Sequence, residues 1–245
     1  MTQHHSLKCI DALTLKLLAM VLMLLDHTWA TVWDVPWFTM VGRLAFPIFA
    51  FQITEGFFHT SNRVKYIRRM LVFALLSEIP FNLLIANSWI YPFHQNVMFT
   101  FLIALLLMWW MEHAKQSKWK FVAITAVCVV LAYLLGLLTF VDYYHYGVFM
   151  VLLFYWTHGL KFGWILQLLG MLYINDAMAG LQIQLQLFGQ TVEFGQQMLA
   201  VLALIPIWMY DGRQGYHSKT VQYLCYAFYP AHMLVLYVLS VILYG

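Results

Sequence analysis

Three residues in two neighbouring apolar runs carry side chains fit for proton transfer and charge stabilisation. Asp26-His27 lies in one run, Gly42-Arg43 opens the next, and Asp34-Val35-Pro36 makes the turn between them. An Asp or Arg at the centre of a membrane helix costs roughly 2.5–3.5 kcal/mol on the lenient insertion scale, so such groups persist where they pair or do chemistry. Both sites lie about eight residues from the turn, which at 1.5 Å per residue puts them at a matched depth of roughly 12 Å. Helices at equal depth can bring Asp26 or His27 onto Arg43, and Gly42 permits the close approach. Pro47, four residues on, removes the hydrogen bond to the Arg43 carbonyl and predicts a kink. An Asp26–Arg43 pair that only locks two helices explains those two residues and leaves His27 without a role.

The elements that hold these residues must be membrane helices. The chain has 245 residues, 63% hydrophobic and 9% charged, with a mean hydropathy of +0.76. Soluble domains carry about 25% charged residues, so the expected fold is an all-α polytopic integral membrane protein. Its 245 residues are read as a single domain with no room for a soluble one. Apolar runs fall at 13–33, 37–58, 67–86, 96–111, 119–140, 146–158, 161–175, 194–210 and 221–244, giving about nine transmembrane helices. The sixth and seventh runs are short for a core of about 30 Å, and are tilted, re-entrant or buried among other helices. Leu181 to Leu187 alternates apolar residues with glutamine, a period of two that favours an extended segment.

Every Lys and Arg except Arg43 falls on one side of this arrangement, and the opposite loops carry Asp34, Asp142, Asp176 and Glu193. The positive-inside rule then makes the N-terminus cytoplasmic and, with nine spans, the C-terminus external. The expected location is a bacterial cytoplasmic membrane, with the lipid bilayer as surroundings. A net charge of +3 confined to loops does not imply nucleic acid. Cys9, Cys128 and Cys225 stand alone, with no metal-ligand or disulfide spacing, and His4-His5 is too short for a metal site. Met1 to Ile10 shows no signal-peptide cleavage site, so the first run reads as a retained span.

Other polar residues fall inside the runs. Glu78 and Asn82 share a helix face around Pro80, with Asn96 and Thr100 at their depths on the next run. For Asn82, Asn96 and Thr100, interhelical glue is the better reading. Glu55, with Gln52 and His59, lies near the cytoplasmic end of its span and is placed to pair with the adjacent basic loop. Tyr229 and His232 share a face of the last span, after Pro230. The run containing Arg63, Lys65, Arg68 and Arg69 is a topogenic signal, and its forked donors also suit phosphate at a cytoplasmic mouth. Walker, Rossmann and His-Glu-x-x-His motifs are absent from the sequence.

The succession Met23-Leu24-Leu25-Asp26-His27 and Val41-Gly42-Arg43-Leu44-Ala45-Phe46-Pro47 resembles the TraX family, whose eponym is a pilin N-acetylase. Glu55-Gly56-Phe57, Ser77-Glu78-Ile79-Pro80-Phe81, Gln95-Asn96-Val97-Met98-Phe99-Thr100 and Tyr229-Pro230-Ala231-His232 extend the resemblance over most of the chain; residues 119–200 carry little of it. The resemblance implies an acyltransferase that takes acetyl groups from cytoplasmic acetyl-CoA to an acceptor outside, a peptide amine or an envelope glycan. It places His27 as general base or acyl carrier, with Asp26 and Arg43 beside it. Arg63, Lys65, Arg68 and Arg69 would hold the CoA phosphates, with Glu55, Glu78, Asn82, Asn96 and His232 in support and no metal. The main alternative is a proton-coupled transporter using Asp26, His27, Arg43 and Glu78 as a relay; inverted repeats would favour it, and none is visible. A non-catalytic scaffold would carry these ionisable groups to no end.

Overall fold

The computed structural model describes residues 8–178, 180–187 and 190–244, so His4-His5 lies outside the described residues. Asp11 caps the first helix, α1 (Ala12–Thr31), by accepting a hydrogen bond from Thr14 N at 2.8 Å. The second apolar run forms two helices rather than one, α2 (Pro36–Gly42) and α3 (Ala45–His59). Their junction, Arg43-Leu44, is where Pro47 takes a donor from the Arg43 carbonyl and crowds it. Asn62 caps α4 (Arg63–Ala86), which ends on Asn87 in the left-handed region at φ 49°. There follow α5 (Val97–Ala114), capped by Asn96, then α6 (Lys118–Leu138), α7 (Tyr144–Thr157) and α8 (Gly163–Ala177).

The all-α expectation needs one correction. Strands β1 (Gln182–Leu187) and β2 (Gln190–Gly195) pair antiparallel, Gln182 opposite Gly195. This is the stretch with the period of two, which cannot present one apolar face from a helix. The eighth run also differs from expectation. Gln196–Ala203 is a 3-10 helix, followed by only a short α9 (Leu204–Trp208). Pro206 lacks the donor that an α-helical bond to Leu202 would need. The last helix is α10 (Lys219–Tyr244), with Pro230 inside it.

Among the described residues, five helices, α1, α4, α5, α6 and α10, are long and apolar enough to cross a membrane. Helices α7 and α8, with 14 and 15 residues, reach only about 21 and 22 Å at 1.5 Å per residue. Apolar all round, α7 is the central helix: α3, α5, α6 and α8 pack against it, and Val148, Met150, Val151 and Leu152 are fully buried. Outward faces of α4, α6 and α10 expose Leu75, Leu76, Val130, Leu138, Val235 and Ile242, a surface suited to hydrocarbon rather than water.

Hydrogen bonds between loops gather the helix termini into two ends. At the end rich in Lys and Arg, Cys9 N donates to Met209 O and Ala12 N to Arg213 O, both at 2.9 Å. At the other, Gln95 N donates to Phe140 O at 2.9 Å and Tyr237 Oη to Asn87 Oδ1 at 2.8 Å. His94 in that end's loop lies 3.5 Å from Asp142, whose hydrogen bond and charge raise its pKa above the ordinary histidine value. The pair's contribution to stability is full below the unfolded pKa of about 6.5 and is lost as pH rises through the raised folded value. Thermal melts in detergent should therefore show the melting temperature falling from pH 6 to pH 8. His94→Gln should flatten that slope, and an unchanged slope would remove His94 from the account.

Candidate active site

The hairpin of α1 and α2 positions the first charged pair. Trp29 Nε1 donates to Asp34 Oδ1 at 2.8 Å across the turn, and Pro36, with its φ preset for helix, starts α2. The Arg43 guanidinium forms an ion pair with Asp26, and its Nη2 also donates to Thr39 Oγ1 at 2.9 Å. Arg43 Nε donates to Thr39 O at 3.3 Å. Glycine is required at position 42: an added Cβ would stand 2.5 Å from the Asp26 Cβ. Gly42→Ala should force the pair apart and cost about 1–3 kcal/mol, as overpacking does. A melting temperature equal to wild type would show that the helices shift freely.

His27, one residue on, points elsewhere. Its Nδ1 lies 2.8 Å from His232 Nε2 on α10, with the ring planes within 9° of each other. His232 Nδ1 lies 2.8 Å from the Phe228 carbonyl, which can only accept, so this nitrogen carries the proton. With both rings neutral, His232 Nε2 is then an acceptor and His27 Nδ1–H its donor. The proton order is thus set by one backbone carbonyl. It leaves a lone pair on His27 Nε2, which has no hydrogen-bond partner among the described residues. An imidazole with its Nδ1–H held and its Nε2 open is arranged as a base or nucleophile.

Below the histidine pair lies a cavity of about 390 Å³ between α1, α3, α4, α5 and α10. Helices α3 and α4, although consecutive, pack on different neighbours, α3 on α1 and α7, α4 on α5 and α10. The cavity occupies the space this leaves. Lys16, His59, Gln214 and His217 line its basic-end portion, and Met23, Val97, Phe101 and Tyr229 line the far portion. Met23 precedes His27, and Phe228 and Tyr229 precede His232, by about one helical turn. The histidine pair therefore lies about one helical turn beyond the far lining of the cavity.

The remaining expected site residues divide. Of the four basic residues after α3, Arg69 lines the cavity. Arg63 instead lies 3.5 Å from Glu112 and over the Phe57 ring, while Lys65 and Arg68 are exposed away from the cavity. Glu55 lines the cavity, but it does not pair with the basic loop. Its carboxylate lies 3.2 Å from His158 Nε2 and 3.7 Å from His59 Nδ1, because α7 ends against α3 here. Asn96 Nδ2 donates to Glu78 Oε2 at 2.6 Å and to Ala74 O at 2.9 Å, while its Oδ1 caps α5. Asn82 Nδ2 reaches Trp89 O at 3.5 Å, and Thr100 Oγ1 donates to Asp142 O at 2.7 Å. Glu78, Asn82, Asn96 and Thr100 thus tie loops and helices together and do not join the His27 cluster.

Sequence reasoning missed Glu112, which meets Arg63, Lys115 and Tyr155, and it missed His158. The one acid of α5, set beside the basic loops with Lys115 three residues on, is the signal that could have found Glu112. Among the described residues, no group of three or more His, Cys, Asp and Glu is placed to hold a metal ion.

These observations define, among the described residues, a helical protein with five membrane-length helices, a charged pair, and a cavity with a histidine pair about one turn beyond its far lining. Residues 12–240 match the family model described as TraX protein, and the chain belongs to the TraX family. It is similar, at 27% identity over 251 aligned residues, to the probable fimbrial assembly protein FimC, serogroup H1, of Dichelobacter nodosus. The match covers 92% of this chain and 94% of that protein. No solved structure matches.

Proposed function

We propose that this chain is an integral membrane acyltransferase of the bacterial cytoplasmic membrane. It passes an acetyl group from cytoplasmic acetyl-CoA to an amine or hydroxyl on the other side, a pilin N-terminus or an envelope glycan. Family membership and the fimbrial assembly relative support the class and the acceptor. The observation that carries the chemistry is the His27–His232 pair, its open Nε2 beyond the end of a cavity that starts among basic residues. The chain makes nine passes, with the basic end cytoplasmic.

In the reaction His27 Nε2 takes the proton of the acceptor while the acceptor's amine or hydroxyl attacks the thioester carbonyl. The resulting imidazolium keeps its Nδ1–H bond to His232, which is anchored in turn on Phe228 O. The carbon–sulfur bond then breaks, and the thiolate of CoA takes the proton from His27 Nε2, which restores the neutral ring. An acyl-histidine route would use the same nitrogen as nucleophile. Met23 and Tyr229 line the cavity about one turn or less before His27 and His232, so the thioester passes them to reach the base. Arg43, occupied by Asp26 and Thr39, holds the hairpin that carries His27.

The sidedness is tested by single cysteines in a background without Cys9, Cys128 and Cys225. Trp89→Cys, 70% exposed in its loop, should react with an impermeant thiol reagent in intact cells, and Lys118→Cys should not. Labelling at 118 would reverse the orientation. The activity is tested by adding radiolabelled acetyl-CoA to envelope fractions from cells with and without the protein. The proposal expects label in envelope protein or glycan only where the protein is present. Equal labelling, together with proton-coupled solute uptake by the reconstituted protein, would make it a transporter.

A further inference from the structure

A second, smaller cavity of about 270 Å³ lies at the basic end, where the turn after α5 and the end of α7 meet α3. Its walls are four aromatic side chains, Phe58, Phe121, Tyr155 and Trp156, and two basic ones, Lys115 and His158. Each basic group is fixed by an acid outside the lining. Lys115 pairs with Glu112 and stands over the Phe58 and Tyr155 rings, 6.0 and 5.3 Å from their centroids. His158 Nε2 lies 3.2 Å from Glu55, and its ring stacks on Phe58 with centroids 4.0 Å apart. Neither Glu112 nor Glu55 lines the cavity, so the space is faced by basic nitrogen framed by rings. An ammonium carries three N–H donors. Glu112 is the acidic partner of Lys115 among the described residues, which leaves this lysine donors for a further anion.

The surroundings add positive charge without adding acids. Lys118 and Lys120, in the first turn of α6, and Lys161, three residues after His158, are exposed and have no acidic partner among the described residues. Trp119, between the first two lysines, is 82% exposed. Beyond it α6 packs chiefly on α5 and α7 and turns Val122, Val130 and Leu138 outward. A tryptophan flanked by lysines at the foot of an apolar helix marks the level of the phospholipid headgroups. A ligand here must offer anionic oxygen to Lys115 and, immediately beyond it, hydrocarbon to α6. A phospholipid does both, whereas a free phosphate ester has no apolar half for α6. The headgroup should also lack an ammonium, because the Phe58 and Tyr155 rings that would attract one already carry Lys115. We infer that the cavity between α3, α7 and the α5–α6 turn binds the headgroup of an anionic phospholipid, of the phosphatidylglycerol kind, from the leaflet at the basic end. Acyl transfer plays no part in this binding, and the two cavities share no lining residue.

The full chain, purified in detergent, is titrated with phosphatidylglycerol or phosphatidylethanolamine, and bound lipid is read by native mass spectrometry. Glycerol 3-phosphate, the headgroup chemistry without acyl chains, is the competitor. Wild type should hold phosphatidylglycerol about tenfold more tightly than phosphatidylethanolamine, and glycerol 3-phosphate should not displace it. Lys115→Gln should weaken phosphatidylglycerol about tenfold; it leaves Glu112 its Arg63 and Tyr155 partners. Lys118→Gln/Lys120→Gln, at exposed positions, should also weaken it about tenfold. Lys219→Gln makes the same charge change at the start of α10 and should alter binding by less than about twofold. Equal weakening in Lys219→Gln would reduce the effect to the overall charge of the basic end and overturn the inference. Equal retention of the two lipids would overturn it too, as would wild-type binding in a Lys115→Gln protein whose melting curve shows it folded. If Lys115→Gln does not fold, the same comparison between Lys118→Gln/Lys120→Gln and Lys219→Gln decides. Displacement of the lipid by glycerol 3-phosphate would make the occupant a soluble phosphate ester and overturn the lipid.

Discussion

His27→Ala should reduce acyl transfer by a factor of roughly 10²–10⁴ or more, the range lost with a general base. It should leave most of the protein folded. The imidazole is the hydrogen-bond donor to His232 Nε2, so its removal strands one acceptor at about 1–3 kcal/mol. The double variant His27→Ala/His232→Phe removes that acceptor and should recover part of the melting temperature without recovering activity. His232→Ala should behave differently. His27 keeps its ring but loses the partner that fixes its tautomer, so turnover falls less than in His27→Ala. Turnover numbers and melting curves on the purified variants check the pattern. Wild-type turnover in His27→Ala would make the histidine pair a structural contact.

Arg43→Ala should cost the most stability. The Asp26 and Arg43 side chains are 16% and 22% exposed, and breaking a buried pair from one side costs about 3–5 kcal/mol because the remaining charge has no partner. Removing both charges with Asp26→Leu/Arg43→Leu should return the melting temperature toward wild type, since a hydrophobic pair of similar volume is often no worse. Activity in this double variant separates two roles. Transfer that survives would mean the pair only locks α1 to α2, and transfer lost from a stable protein would give the charges a part in the reaction. A single Arg43→Ala variant as stable as wild type would contradict the ion pair itself.

Much of the hairpin was legible because its determinants are local. The distances of Asp26 and Arg43 from the Val35 turn gave matched depth, Gly42 gave the close approach, and Pro47 gave the break at Arg43. Alternation in residues 181–187 likewise announced an extended segment, although its partner strand did not show the same alternation. His27 and His232 are 205 residues apart, and no spacing links them. That contact comes from α10 packing on α1, a tertiary fact. The four basic residues after α3 look alike in sequence, but the helix periodicity of α4 turns Arg69 into the cavity and Arg68 outward. The 3-10 segment at 196–203 was missed because its apolar content matches that of an α-helical span.

Transfer across sealed vesicles tests the central claim most directly. The purified protein is reconstituted, radiolabelled acetyl-CoA is confined to the side that cysteine labelling identifies with Lys118, and an envelope acceptor is supplied only on the other. Wild-type protein should place label on the acceptor without releasing CoA to that side, and His27→Ala should place none. Label that reaches the acceptor only when it shares a side with acetyl-CoA, or reaches it equally in His27→Ala, would contradict transfer through the membrane at His27.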